Sequence, residues 1–413
     1  MKIAIVSTFL GQKSGGAEIS SFLLAKKLNE KDDVFVVTTK IQEQLPFRAY
    51  SLNLVSKVPN SILMIGNWFI DFLMYLNLIY IFKKEKPDVV HVQDFSCLIP
   101  SLKVARKLKI PIVVSVRDFR FECNLSSCAD KGKFVFNCNS NKYKSCLKKT
   151  LSARKLDKFS FFLFPFFYFQ RQRLRKYSKK IDFYISVSDF VKNNLIRSNI
   201  KENKIKTINV LFPEWKLKGE KIEQNNDFVI FSAGILVKAK GFQNIIKAVA
   251  EIIKQKDVKK KIVLKIAGEG SYRNELEKLV SSLGIEKNEI FLGKLNYPQM
   301  NKAYLESDVV VQASIVPESL SRIIFESFSL KKPLIASDSG GNSELVKDGQ
   351  TGLLVKDKFD YKEYVIKISK LINNKNLRKK LGDNAYQFLK NKSNDYIVKE
   401  HLLVYDFLIK NKK

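Results

Sequence analysis

Short apolar runs rich in Val, Ile and Phe alternate along this chain with longer stretches of helical periodicity, and that alternation narrows the available folds more than any other feature. The runs KIAIVSTF, DVFVVTTK, PDVVHVQDF, PIVVSVRDF, DFYISVSD and KIKTINVLF fill the first half. Each is too continuously apolar for a strand with one wet face. Each therefore belongs in a parallel sheet covered on both sides, with helices as the crossovers. After Phe212 the pattern breaks at PEWKLKGEKIEQNNDF, which is charged, lacks an apolar stripe and marks a linker. A second set follows: FVIFSAGI, IVLKIAGEG, EIFLGKL, DVVVQAS, PLIASDSGG and GLLVK.

A chain of 413 residues, 45% hydrophobic, is long enough for two cores. The expected fold class is α/β, with two doubly wound domains over 1–212 and 213–394. The helical, basic stretch 395–413 is expected to pack back on the first domain. Ligands of such sheets bind beyond the carboxyl ends of the strands, so two facing domains imply a cleft between them.

Charge adds a second constraint. Lys and Arg number 73 against 41 Asp and Glu, a net charge of +32, which favours anionic partners: a phosphorylated small molecule, anionic lipid or nucleic acid. No nucleic-acid recognition module is visible, and most of these lysines suit solvated faces. The excess is concentrated between Lys142 and Lys180, where thirteen Lys or Arg face one acid, Asp157, around the run FSFFLFPFFYF. That run is too short to span a bilayer, and with its basic flanks it fits a segment lying in an anionic interface, so 154–180 is expected to touch a membrane surface. ILMIGNWFIDFLMYLNLIYIF reaches spanning length, but Asn67, Asp71 and Asn77 interrupt it, and a first-domain helix is expected. The opening MKIAIVSTFL shows no cleavage site, and five cysteines are an odd count for a disulfide framework. The expected location is cytoplasmic, peripheral on the inner face of the cytoplasmic membrane.

Three stretches carry chemistry. The loop LGQKSGGAEISS follows the first strand and opens a helix, where Gly15 and Gly16 allow a ligand close to the backbone and amides can receive phosphate oxygens. In SAGILVKAKGF, Lys238 and Lys240 lie between a strand and a helix, another place for an anion. In IVPESLSRIIFESFSLKKPLIASDSGG, Glu318 and Glu326 stand eight residues apart with Arg322 midway, Glu318 on a loop and Glu326 on a helix capped by Ser319 or Ser321. A carboxylate accepts two hydroxyl hydrogen bonds, so the pair suits a sugar or a ribose.

PESLSRIIFES, with KPLIASDSGGNSELVKDGQTGLLV after it, SAGILVKAKGF before it and SGGAE near the start, resembles the retaining nucleotide-sugar glycosyltransferases of family four, which have the GT-B architecture of two facing Rossmann-like domains. The resemblance covers nearly the whole chain. It implies a retaining, hexosyltransferase-type enzyme that moves a sugar from a nucleotide-diphosphate sugar to a glycan or lipid-linked acceptor in cell-envelope polysaccharide or glycolipid synthesis. It further implies that Glu326 binds the ribose hydroxyls and Glu318 those of the donor sugar. The diphosphate would be held by Lys240, the amides of Leu320 and Ser321, and those of Gly15 and Gly16. No metal is implied for the transfer. The resemblance also implies that the leaving phosphate takes the acceptor proton.

The chain departs from that family at three places. Ile235 stands where Arg is usual, leaving Lys238 or Arg322 to supply positive charge. Arg117 precedes Asp118 where His is often found, and a guanidinium accepts no proton at neutral pH. Serines replace the glycines common after the first glutamate. His91, Arg117 and Asp118 are acceptor-side candidates, with a purely structural His91 as the alternative. Cys123, Cys128, Cys138 and Cys146, spaced by four, nine and seven residues, are either a zinc site or free thiols. Rival functions are a nucleotide-sugar epimerase, a basic nucleic-acid-binding protein and an inactive member of the same family.

Overall fold

The structure, a computed structural model, describes residues 1–11, 16–41, 44–55, 68–120, 125, 129–130, 133–134, 138–152, 157–215, 227–255 and 260–411. It divides into two units, one of Met1–Asp130, Phe134–Leu211 and Asn394–Lys413, the other of Lys131–Lys133 and Phe212–Ser393. Each is built on a parallel sheet.

The strands of the first half are β1 (Lys2–Val6), β2 (Asp33–Thr38), β3 (Arg48–Ser51), β4 (Val89–Val92), β5 (Ile112–Val116), the short β6 (Ala129–Asp130) and β7 (Lys133–Phe134), β8 (Phe183–Ser186) and β9 (Ile205–Thr207). Its helices are α1 (Gly16–Leu28), α2 (Trp68–Glu85), α3 (Leu98–Lys107), α4 (Ser140–Ser152), α5 (Ser160–Ser178) and α6 (Asp189–Arg197). Seven strands pair in the order β3-β2-β1-β4-β5-β8-β9, all parallel, with Ile3 opposite both Val34 and Val89. β1, β2, β4, β5 and β8 are buried almost throughout, as expected for strands covered on both faces.

β3, RAYS, has no apolar run and was not anticipated. It is an edge strand held partly by charge, for Arg48 reaches Glu85 on α2 at 3.1 Å. Local pattern carries no sign of such a strand, because what stabilises it is 37 residues away.

The second half contributes β10 (Phe228–Ala233), α7 (Phe242–Ile253), β11 (Ile262–Ala267), α8 (Arg273–Leu283), β12 (Glu289–Gly293), α9 (Tyr297–Glu306), β13 (Val309–Gln312), α10 (Arg322–Ser329), β14 (Leu334–Ser337), α11 (Asn342–Leu345), β15 (Leu353–Val355), α12 (Tyr361–Ile372), α13 (Lys375–Lys390) and α14 (Asn394–Lys410). The sheet runs β12-β11-β10-β13-β14-β15, again all parallel. All six of its strands coincide with the expected runs.

α7 shows how sequence becomes packing here. Phe242, Ile245, Ile246, Val249 and Ile252 recur at three- and four-residue spacing and are all buried in the second core with Ile230, Leu264 and Val311 of the sheet. Each such side chain contributes roughly 1.5–3 kcal/mol by leaving water. Both units are thus Rossmann-like α/β domains.

The last helix, α14, belongs to the first unit. Ile397, Val398, His401, Val404, Tyr405 and Leu408 form its buried face. Tyr405 Oη lies 2.6 Å from His91 Nδ1 on β4.

Candidate active site

In the second unit the chemistry-bearing residues collect at the carboxyl ends of β10 and β13. β10 leads into a tight turn, Lys238–Lys240, closed by Gly241 in the left-handed region at φ +72°. A Cβ on Gly241 would lie 1.8 Å from the Ala313 carbonyl oxygen, so the lysine turn rests directly on the chain leaving β13. The Ile315 amide donating to the Ala239 carbonyl at 2.9 Å fixes the same contact. Glycine at 241 is therefore what sets Lys240 beside the 313–318 loop.

That placement brings Lys240 Nζ to 2.6 Å from Glu318 Oε1, and Ser314 Oγ donates to the same oxygen. The lysine keeps about a third of its side-chain surface in solvent while the glutamate is mostly enclosed, so the pair sits at a rim. The Glu318 backbone is clamped from the other side. The Gly341 amide donates to its carbonyl at 2.9 Å, and Gly340, at φ +63°, lies so close that a Cβ would meet that oxygen at 2.1 Å. The glycine pair of the sequence thus supports the first glutamate.

α10 begins at Arg322, directly after Leu320 and Ser321. The N–H groups of those two residues have no protein acceptor among the described residues, at the positive end of the helix. Ser321 occupies the cap position, but its hydroxyl accepts no helix amide; it accepts from Gln312 Nε2 at 3.3 Å instead. The expected side-chain cap is not formed.

Glu326 lies one turn into α10 and is buried. One of its oxygens is bound by Arg322 and the other by Tyr304 Oη at 2.6 Å. Burial, reinforced by the neighbouring carboxylate, holds the Tyr304 phenol well above its ordinary pKa, so it stays a donor. Arg322, one of the two cations expected to supply positive charge in place of an arginine at Ile235, is committed to Glu326. Lys238 is exposed and makes no ion pair among the described residues, and Ile235 points largely into solvent.

Three contributors escaped the sequence reading. Tyr304 is 22 residues from its partner and has no local signal. Ser314 lies two residues beyond the end of β13, where an apolar strand gives way to a loop. Gln312 is the clearest omission: a buried glutamine inside an apolar strand needs partners, and it has Ser337 Oγ and Asn342 Nδ2 at 3.0 Å each.

In the first unit, Gly16 opens α1, whereas Gly15 lies outside the described residues. Arg117 and Asp118 follow β5 and line an open cavity with Glu18, Ser21, Gln93 and Asp94. Arg117 donates to the Ala17 carbonyl, to Ser21 Oγ at 2.8 Å and to Gln93 Oε1. Burial lowers its pKa to about 10, which leaves it charged at neutral pH. Asp118 is occupied by Arg120, whose Nε is 2.9 Å away.

His91 belongs elsewhere. It is fully buried, bonded to Tyr405 Oη at 2.6 Å and Ser115 Oγ at 2.8 Å, and is not among the residues lining the cavity, so its place is structural. Of the four cysteines, Cys123 and Cys128 lie outside the described residues, while Cys138 and Cys146 are half-buried; no group of three or more metal-ligating side chains occurs among the described residues.

Comparison with known proteins bears on family and fold. A family profile described as glycosyl transferases group 1 matches residues 213–388, and one described as glycosyltransferase family 4 matches residues 14–209. An uncharacterized glycosyltransferase of Methanocaldococcus jannaschii is 31% identical over 56% of this chain and 60% of its own length. A capsular polysaccharide biosynthesis glycosyltransferase of Staphylococcus aureus is 29% identical over 53% of this chain and 59% of its own. The chain thus spans about three-fifths of the length of these curated relatives. The crystal structure of Anabaena HepE in complex with UDP superposes with a TM-score of 0.71 at 17% identity, covering 98% of this chain and 100% of that one, a likeness of fold. Matched by one profile on each of its two sheets, the chain belongs to the group 1 and family 4 glycosyltransferases and has their pair of GT-B Rossmann-like domains.

Proposed function

We propose that this protein is a retaining glycosyltransferase that takes a hexosyl group from a nucleotide-diphosphate sugar and delivers it to a glycan or lipid-linked acceptor of the cell envelope. The observation that carries the proposal is the Lys240–Glu318 pair, 2.6 Å apart at the rim of the second sheet and next to the unfilled amides of Leu320 and Ser321. An ammonium, two N–H groups and a helix N-terminus together form a place for a diphosphate. As the sugar departs, negative charge grows on the leaving phosphate, and Lys240 and these amides meet it without rearrangement. Glu318, held from below by Gly340 and Gly341, accepts hydrogen bonds from the hydroxyls of the transferred sugar. Glu326 takes the ribose hydroxyls in the same way, its orientation set by Tyr304 and Arg322. No metal is assigned to the step.

Exposed aromatic side chains support a position at a membrane. Phe161 and Phe162 on α5 are 68% and 77% exposed, and Lys144 stands 5.2 Å over the Phe161 ring. Trp68, Phe69 and Phe72 on α2 are also exposed, and a buried Asp71–Arg173 pair at 2.6 Å ties α2 to α5. We assign this surface to an anionic lipid leaflet. No helix among the described residues is long and apolar enough to cross a membrane.

The experiment is nucleotide release from a panel of UDP-, GDP- and ADP-sugars, with membrane extract supplying the acceptor. Release that depends on extract and yields a glycosylated product with its anomeric configuration kept is the expected result. Absence of release from every donor, or conversion of the donor to its epimer, refutes the assignment.

A further inference from the structure

Ser321 precedes α10 with an extended backbone, φ −86° and ψ 123°, at the position of a helix cap. A serine there ordinarily turns its hydroxyl onto the second or third helix amide. Ser188, Asn296 and Asp360 do so elsewhere in this chain, each accepting from an amide of the helix it opens. Ser321 does not. Its carbonyl takes the third amide, that of Ile324, at 3.2 Å, and the second, that of Ile323, has no protein acceptor among the described residues.

Gln312 is the reason. It ends β13, is buried, and donates from Nε2 to Ser321 Oγ at 3.3 Å. Two donors on its oxygen, Ser337 Oγ and Asn342 Nδ2, each at 3.0 Å and each on a fully buried residue, set which way the amide faces. Oε1 is thereby given to β14 and α11, and Nε2 is the end left for Ser321. A buried amide in an apolar strand is costly unless its polar groups are used. Here they draw a hydroxyl off a helix end.

We infer that Gln312 is a positioning residue for the diphosphate: by holding the Ser321 hydroxyl it keeps α10 from capping itself, so the first amides of the helix stay available to phosphate oxygens. Cap and phosphate are alternatives, since both accept from N–H groups of the same first turn. A serine free to cap competes with the donor, and a serine tied to Gln312 does not. The inference rests on the proposed diphosphate site at Lys240, Leu320 and Ser321, but it can fail while that site holds.

Titration calorimetry with UDP, GDP and ADP, each beside its monophosphate, tests this. Wild type is expected to bind at least one diphosphate more tightly than the matching monophosphate. Gln312→Met keeps the side-chain length and removes both polar ends, which releases the Ser321 hydroxyl to cap α10. Diphosphate affinity should then fall about two- to thirty-fold, the equilibrium range of one serine cap, with monophosphate affinity nearly unchanged. Adding Ser321→Ala removes the competing hydroxyl and should bring the affinity back by the same factor. Gln312→Asn keeps an amide for Ser337 and Asn342 but withdraws it from Ser321 by one methylene, and it should show the same loss and the same rescue without leaving those neighbours unpaired. Unchanged diphosphate affinity in both Gln312 variants overturns the inference. So does a loss that Ser321→Ala fails to reverse, because a fold damaged at Gln312 is not repaired by a second truncation, and so does an equal loss for the monophosphate. A wild type that binds no diphosphate more tightly than its monophosphate removes the diphosphate site itself, and the inference with it.

Discussion

Single side chains carry the charge at the proposed donor site, and their loss separates their roles. Lys240→Ala removes the cation that meets the leaving phosphate, and kcat is expected to fall by about 10²–10³, the range for one preorganised donor to developing charge. Glu326→Ala should act mainly through the KM for donor. It also leaves the half-buried Arg322 without its partner, at a cost of about 1–3 kcal/mol. Tyr304→Phe is the gentler probe: it removes the 2.6 Å bond to Glu326, and should cost about 1–2 kcal/mol while raising donor KM a few-fold. Steady-state kinetics with thermal denaturation of the three variants checks all of this, and wild-type rates in Lys240→Ala and Glu326→Ala would refute the site. Glu318, Glu326 and Lys240 were legible in the sequence because they flank apolar strands in places where solvated charge has little reason to recur. Tyr304 and Gln312 were not, since a residue acquires such a role only from what faces it.

Elements position these side chains through backbone contacts that only glycine permits. Gly241 and Gly284 share nearly the same left-handed conformation, φ +72° and +69°, but a Cβ on Gly241 would meet the Ala313 carbonyl at 1.8 Å while one on Gly284 meets nothing within 4 Å. Gly284→Ala should therefore cost only the conformational penalty, about 1–2 kcal/mol, with kcat unchanged. Gly241→Ala must in addition push the lysine turn off the 313–315 segment, and a lower melting temperature with a kcat loss approaching that of Lys240→Ala is expected. Calorimetry and turnover of the two variants make the comparison; equal kcat in both would mean that the turn does not set Lys240. The helix spacing of α7 and the short runs of the second sheet could be recognised locally, since they follow from side-chain periodicity alone. The edge strand β3 could not, because its stability comes from Glu85 on a distant helix.

At the scale of the molecule, α14 closes the first unit over a buried pair of histidines, His91 and His401, with ring centroids 5.7 Å apart. Burial strips water from either cation, and both pKa values are pushed below the ordinary histidine value, that of His401 to about 4. The unfolded chain thus takes up protons first as pH falls. The stabilisation is whole above about pH 6.5 and is lost as pH drops towards 4. Melting curves from pH 7 to pH 4.5 should show a decline that His401→Phe flattens; parallel declines in both proteins would exclude His401 as its source. Vesicle sedimentation addresses the basic aromatic surface. Binding to anionic vesicles that salt and Phe161→Ser/Phe162→Ser weaken is expected, and equal partitioning onto neutral vesicles would contradict an electrostatic anchor. The two parallel α/β domains could be read from the residues alone, since apolar continuity and helical period are properties of neighbouring residues. The two glutamates and the lysine could be read there as well. Tertiary contacts alone settle that Arg322 is spent on Glu326 and that His91 is a strut. Those outcomes depend on which side chains the fold brings together across tens to hundreds of residues, and no local pattern encodes them.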